Sequence, residues 1–175
     1  RIPLVATLRT GKTLFLLHHW SLYRVRAVLA NSNWWERRLL ERNFDPERIH
    51  VVHNSIVMEH SGRDRLPTRN AFRDEHGVPP NRVVLLNVAT FRKGKRHRDL
   101  LQHLKTLSEQ APSLDWETWL VGDGPELKAC RRYVVQQGLQ ARVRFFHFQS
   151  DPYPFYAAAD IALSASREDS LPNFL

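Results

Sequence analysis

Short apolar runs alternate along the chain with longer segments whose apolar residues recur every three or four positions, the two periodicities of buried strands and amphipathic helices. Residues 2–8 (IPLVATL) form a short apolar run with β-branched members and predict a buried strand. Residues 13–25 (TLFLLHHWSLYRV) are long enough for a helix. Residues 26–32 (RAVLANS) read as a second strand, closing on a helix-capping serine, Ser32. The next segment, NWWERRLLERN, places Trp35, Leu39 and Leu40 at helical spacing, and RIHVVHNSI predicts a third strand.

The pattern then breaks. Residues from Val57 to Pro80 are polar and charged and hold Pro67, Gly77, Pro79 and Pro80. They read as a linker containing one helix, TRNAFRDEHG, stopped at Gly77. Alternation resumes with the strand RVVLLNVATF and the helix KRHRDLLQHLKTLSEQ, whose Leu100, Leu101, Leu104 and Leu107 share a face. DWETWLVGDG is a strand entering a glycine-rich turn, and PELKACRRYVVQQG is a helix closed by Gly138. ARVRFFHF, DPYPFYAAA and DIALSAS predict a strand, a short helix and a last strand, with a further helix opening at SLPNFL. This order of strands and helices argues for an α/β fold, with Rossmann-like parallel sheets carrying helices on both faces. The break argues for parts of two domains: 1–56, a hinge over 57–80, and 81–175. In such sheets ligands sit outside the carboxyl ends of the strands, so the residues just after each strand carry most weight.

Composition narrows the classes. No apolar run reaches the length of a membrane span, and no secretory leader pattern is visible at the amino end. The first residue is Arg1, so the sequence is expected to be a piece of a longer chain. Cys130 is the only cysteine, which excludes an internal disulfide and favours a reducing, cytoplasmic setting. The nine histidines show no metal-ligand spacing. The net charge of +8 suits an anionic partner: nucleic acid, an anionic membrane surface or a phosphate-bearing ligand.

Three segments after strands bear on that choice. ATLRTGKT nearly matches a phosphate-binding P-loop, with Gly11, Lys12 and Thr13 in place, but Ala6 stands where the first glycine belongs and lies inside an apolar strand run. FRKGKRH puts basic residues where a phosphate would meet them. SASREDSLPN opens a helix whose free backbone N–H groups suit an anion, with an acid alongside to accept hydrogen bonds from ligand hydroxyls. Between them, WLVGDGPE reads locally as a tight strand-to-helix turn that needs its glycines.

Taken in order, these motifs resemble the retaining, nucleotide-sugar-dependent glycosyltransferases of family 4, which have the two-domain GT-B fold. NVATFRKGKRHRDLL is similar to the family's vasfrpqKGhedLl, and LVGDGPE to its vGdGp. VRFFHFQSDPYPFYAAADIALSASREDSLPN is similar to V-x-F-x-G-x-x-x-D-x-x-x-x-Y-x-x-A-D-i-x-l-x-S-x-x-E-g-x-P-n. Residues 28–57 resemble the end of the acceptor-side domain. The resemblance implies a fold incomplete at both ends, and a piece expected to be inactive alone.

The resemblance also implies roles. Lys95 would bind the donor diphosphate together with Arg92, since Thr90 occupies the place where many members have arginine; Lys93 is the alternative under a shifted register. The glycines Gly122 and Gly124 would lie at the donor. Asp169 would be the first acid of an acid-x(7)-Glu motif and contact the donor sugar, because Pro172 follows it at the family spacing; Glu168 is the other candidate. Backbone N–H groups at Ser170 and Leu171 would meet the diphosphate. Arg9 stands near the place of an acceptor-side histidine, and His147 replaces a family glycine. The implied activity is transfer of a sugar from a UDP- or GDP-sugar to an acceptor hydroxyl with retention, in surface polysaccharide, lipopolysaccharide or other glycan synthesis. No cofactor or metal and no nucleic acid are expected. The expected partners are a nucleotide-sugar donor, a glycan or lipid-linked acceptor, and an anionic inner membrane face to which the protein would bind peripherally. A P-loop-like nucleotide binder and a basic nucleic-acid or membrane-surface module are the alternatives.

Overall fold

In the computed structural model, residues 2–9, 20–53 and 67–166 are described. The chain divides into two compact units. The first holds three parallel strands, β1 (Val5–Leu8), β2 (Ala27–Ala30) and β3 (Ile49–Val51), in the order β1-β2-β3. Helix α1 (Asn33–Leu40) follows β2 and turns Trp35 and Leu39 inward. These pack with Leu8, Val28, Ala30, Phe44 and Ile49 as one core. Val28 and Ala30 are buried while Ala27 and Leu29 are half-exposed, the alternation of a pleated strand. Ser32 takes the extended N-cap conformation, but its hydroxyl makes no capping bond and is buried without a partner among the described residues. The predicted cap therefore holds in position and not in bonding. Most of the helix expected over 13–25, and the GKT of the P-loop-like segment, lie outside the described residues. Ala6 lies inside β1, where it cannot open a phosphate-wrapping loop.

The second unit is a four-stranded parallel sheet: β4 (Val83–Val88), β5 (Trp116–Val121), β6 (Val143–Phe146) and β7 (Ile161–Ala162), in the order β6-β5-β4-β7. Both faces are covered, as continuous apolar runs require. On one face lie α3 (His97–Gln110) and α4 (Leu127–Gln136), whose Leu100, Leu101, Leu104, Cys130, Tyr133 and Val134 pack on Leu85, Trp116 and Leu120. On the other lie α2 (Arg69–Glu75) and α5 (Tyr153–Ala158), where Phe72, Phe155 and Ala158 pack on Val84, Leu86, Trp119 and Val121. Successive residues of β4 and β5 thus serve opposite cores. The α/β reading with helices on both faces holds in this unit.

The helix expected in the hinge segment forms as α2, capped by Thr68, whose hydroxyl accepts from the Ala71 N–H at 3.3 Å. It packs on the second sheet through Phe72, whose ring meets that of Phe155 edge-on at 5.0 Å. Pro125, expected in the first helical turn, lies in a turn just ahead of α4. Asp160 precedes β7 and is a structural acid. It accepts from the Val84 N–H at 2.7 Å and from Arg69 and buried Arg73. Burial opposes its charge, but these hydrogen bonds and cations outweigh burial and hold its carboxyl below the usual range. Arg73 also donates to the carbonyls of Ala158, Pro79 and Arg82, so one clamp ties α2, α5 and the start of β4 together.

Candidate functional site

The strand order fixes where a ligand can enter. From β4 the chain steps outward to β5 and β6, then returns to place β7 on the other side of β4. The order reverses between β4 and β7: β4 leads on to α3 on one face, and β7 is reached from α5 on the other. In open parallel sheets a crevice forms there, at the carboxyl ends of the strands. Two loops meet at this crevice. The loop after β4 carries Phe91 to Arg96, and the loop after β7 carries Leu163 to Ser166. They touch directly: the Ser166 hydroxyl donates to the Gly94 carbonyl at 3.4 Å. The Asn87 side chain, near the end of β4, donates to the Leu163 carbonyl at 2.8 Å and fixes the start of the second loop.

The basic loop is tightly wound. Lys93–Lys95 form a single 3₁₀ turn, with the Lys95 N–H donating to the Arg92 carbonyl at 2.9 Å and the Arg96 N–H to the Lys93 carbonyl at 3.2 Å. Arg96 closes the turn in the left-handed conformation at φ 54°, which a glycine adopts more readily, and pairs with Asp99 in the first turn of α3. Arg92 is exposed and Lys95 half-buried. The two residues expected to meet a diphosphate therefore lie on one short turn at the reversal point. Lys93 lies exposed on the same turn.

Beneath the loop sit two buried rings. Phe91 is fully buried, and His97, the first residue of α3, is 3% exposed. Their rings stack at 4.0 Å with an interplanar angle of 15°. Neither ring nitrogen of His97 has a hydrogen-bond partner among the described residues. Burial, helped by the charge of Lys95, pushes its pKa down to about 4, so the ring is neutral at physiological pH.

Gly122 and Gly124 support the loop from the β5 side. A Cβ on Gly122 would lie 2.3 Å from the Ala89 carbonyl oxygen, and one on Gly124 would lie 2.5 Å from that of Phe91. Backbone bonds seal the approach: Phe91 N–H to the Asp123 carbonyl at 2.9 Å and Glu126 N–H to the Phe91 carbonyl at 2.9 Å. The local reading of GDGP as a turn that needs glycine is thus sharpened, since what needs them is the neighbouring loop. Asp123 between them binds the loop after β6. Its carboxylate accepts from the Phe148 N–H at 2.7 Å and lies 2.8 Å from His147 Nδ1. The Phe148 bond and then His147 hold that carboxyl below its ordinary range.

Asp169, Ser170 and Leu171, like Glu168, lie outside the described residues. Arg9 follows β1 in the first unit and is exposed; its carbonyl accepts from the Asn31 side chain at 3.3 Å. Among the described residues no cluster of three His, Cys, Asp or Glu side chains could hold a metal ion, and no helix is long and apolar enough to cross a membrane. Cys130 is buried, and desolvation, then Glu126, pushes its thiol up to about 11, so it is inert. Sequence reasoning missed His97, Asn87 and Ser166 as site residues. His97 stood in a basic run, at the h of the family's KGhedLl, and the serine in a small polar segment.

Known proteins match this architecture. N-acetyl-alpha-D-glucosaminyl L-malate synthase of Bacillus anthracis is 29% identical over 98 residues, 56% of this chain and 25% of that protein. The lipopolysaccharide core biosynthesis glycosyltransferase LpsD of Rhizobium meliloti (strain 1021) is 29% identical over 107 residues, 61% of this chain and 29% of that protein. This chain therefore spans well under half the length of these relatives. Among solved structures, Anabaena Alr3699/HepE in complex with UDP superposes with a TM-score of 0.72 at 22% identity, over 94% of this chain and 47% of that one. A glycosyltransferase from Rickettsia africae ESF-5 gives 0.72 at 20% identity, over 93% and 45%. The fold is that of the GT-B glycosyltransferases. Residues 82–175, which contain the β4–β7 crevice and both of its loops, match the family of glycosyl transferases group 1, and the chain belongs to that family.

Proposed function

We propose that the crevice between β4 and β7 is the donor site of a sugar transferase that uses a UDP- or GDP-sugar and retains the anomeric configuration. The observation that carries this reading is the meeting of the Phe91–Arg96 loop with the Leu163–Ser166 loop at the point where the strand order reverses. Arg92 and Lys95 neutralise the charge that develops on the leaving diphosphate, an electrostatic role that needs donors fixed before the reaction. Asp169 orients the donor sugar, and backbone N–H groups at Ser170 and Leu171 meet the diphosphate. Gly122 and Gly124 let the loop after β4 sit close enough to present its cations. The likeness to HepE, solved with UDP, and to LpsD, named for lipopolysaccharide core synthesis, supports a nucleotide-sugar donor and a glycan or lipid-linked acceptor. The whole enzyme carries, besides this site, an acceptor-side domain of which residues 1–56, with Arg9, are the end; within the segment 57–80 read as the hinge, α2 packs with the second unit. The surplus of basic residues suits a cytoplasmic enzyme resting on an anionic inner membrane face.

A thermal-shift screen of the chain against UDP, GDP, ATP and inorganic phosphate tests the reading. UDP or GDP raises the melting temperature, while ATP and phosphate do not. A shift with ATP that is lost in Lys12→Ala points instead to the GKT segment, and binding to nucleic acid that collapses with salt points to a general basic surface.

A further inference from the structure

The loop that carries Arg92 and Lys95 has almost no core of its own. Arg92, Lys93 and Arg96 are exposed, and Gly94 and Lys95 are half-exposed. The two residues that bracket it are both buried, and they touch. Phe91 is locked from outside the loop by its two backbone bonds to the β5 turn and by the close approach of Gly124. His97 is locked into α3, whose next buried residues, Leu100 and Leu101, join the core that also contains Phe91. The stack of the two rings therefore closes the base of the loop.

Among the described residues the ring contact of His97 is with Phe91. Its nitrogens satisfy no partner among the described residues, and a buried polar group left so is costly. The contact that the ring does make is face to face, through its π surface. Because Phe91 cannot move, this contact holds the far end of the loop at a fixed distance from its near end. The turn between them is then forced into the tight 3₁₀ form that places Arg92 and Lys95 together.

We propose that His97 is a positioning residue for the donor cations: its ring, stacked on Phe91, closes the Arg92–Arg96 loop and holds Lys95 for the diphosphate. The inference rests on the donor-site reading above, but its mechanical half does not. Two variants separate the stack from simple volume. His97→Phe keeps a planar ring, and His97→Leu fills the space without one.

The test uses the full chain and two readouts. Amide hydrogen exchange at Lys95 and Arg96, whose N–H groups close the turn, reports the loop without any ligand. It rises about tenfold or more in His97→Leu and stays within about twofold of wild type in His97→Phe. Calorimetric titration with UDP or GDP, whichever the screen selects, reports the consequence. Affinity falls about tenfold in His97→Leu and is retained within about twofold in His97→Phe. Unchanged exchange in His97→Leu overturns the proposal, and so does a His97→Phe protein as loose as His97→Leu. If the wild-type chain binds neither nucleotide, the donor-site reading fails, and the exchange result still decides the clasp. If exchange responds but affinity does not, the clasp stands and its role in positioning Lys95 is refuted. Thermal unfolding of each variant confirms that a folded protein is being compared.

Discussion

Gly124→Ala is expected to destabilise the second unit by about 3 kcal/mol, through a forced backbone displacement together with an unfavourable backbone angle. Gly124 stands at φ 151°, and a Cβ there would lie 2.5, 2.8 and 2.9 Å from the carbonyl oxygen, carbonyl carbon and nitrogen of Phe91. All three are backbone atoms, so no side-chain rotation relieves the clash. Phe91 cannot retreat, because its ring is fully buried and its N–H and carbonyl are both bonded to the β5 turn. Gly138 provides the internal control. It too has a positive φ, 67°, but a Cβ there meets nothing within 4 Å. Gly138→Ala carries only the left-handed penalty, about 1 kcal/mol. Urea unfolding of both variants checks the difference. Equal costs would mean that the close approach contributes nothing.

Stability should fall between neutral and mildly acid pH, with His97 as the principal cause. Its folded pKa is about 4, below the ordinary 6.5, because burial and the neighbouring Lys95 disfavour the charged ring. The unfolded chain therefore binds the extra proton first as pH drops. Between the two pKa values the unfolded state holds more protons, so stability rises with pH across that window and is lost as pH falls through it. Going from about pH 7.5 to about pH 5, this single group removes about 2 kcal/mol. His97→Phe cannot titrate and should lose less over the same interval by about that amount, measured by urea unfolding at the two pH values. Identical losses in wild type and variant would show that His97 is hydrated or paired in the folded protein.

The strands were legible because each is a short apolar run, and α3 because Leu100, Leu101 and Leu104 recur on one face and are the residues buried there. The basic loop was legible as a candidate site because it follows a buried strand, and the fold puts it beside the loop after β7. Other features depend on contacts that a linear pattern does not encode. GDGP announces a turn, but Gly122 and Gly124 also answer to the backbone of Ala89 and of Phe91, both in the loop after a different strand. His97 looks like part of a solvated charge run, because its burial comes from Phe91 and from the sheet beneath α3. Asp160 reads only as the first residue of the run DIALSAS; its arginine partners sit in α2, in a segment that reads as polar hinge. Arg96 gives no hint in its side chain that its backbone is left-handed.

The central claim is that the loop after β4 holds the diphosphate of a nucleotide-sugar donor. It is tested most directly by titrating the chain calorimetrically with UDP or GDP, in wild type and in Lys95→Ala. Lys95 lies half-buried on the turn, and thermal unfolding of the variant checks that it is folded. The account predicts saturable binding by the wild type and affinity at least about tenfold weaker in the variant, the loss of one charge-assisted contact to phosphate. Equal affinity in the two proteins would contradict it.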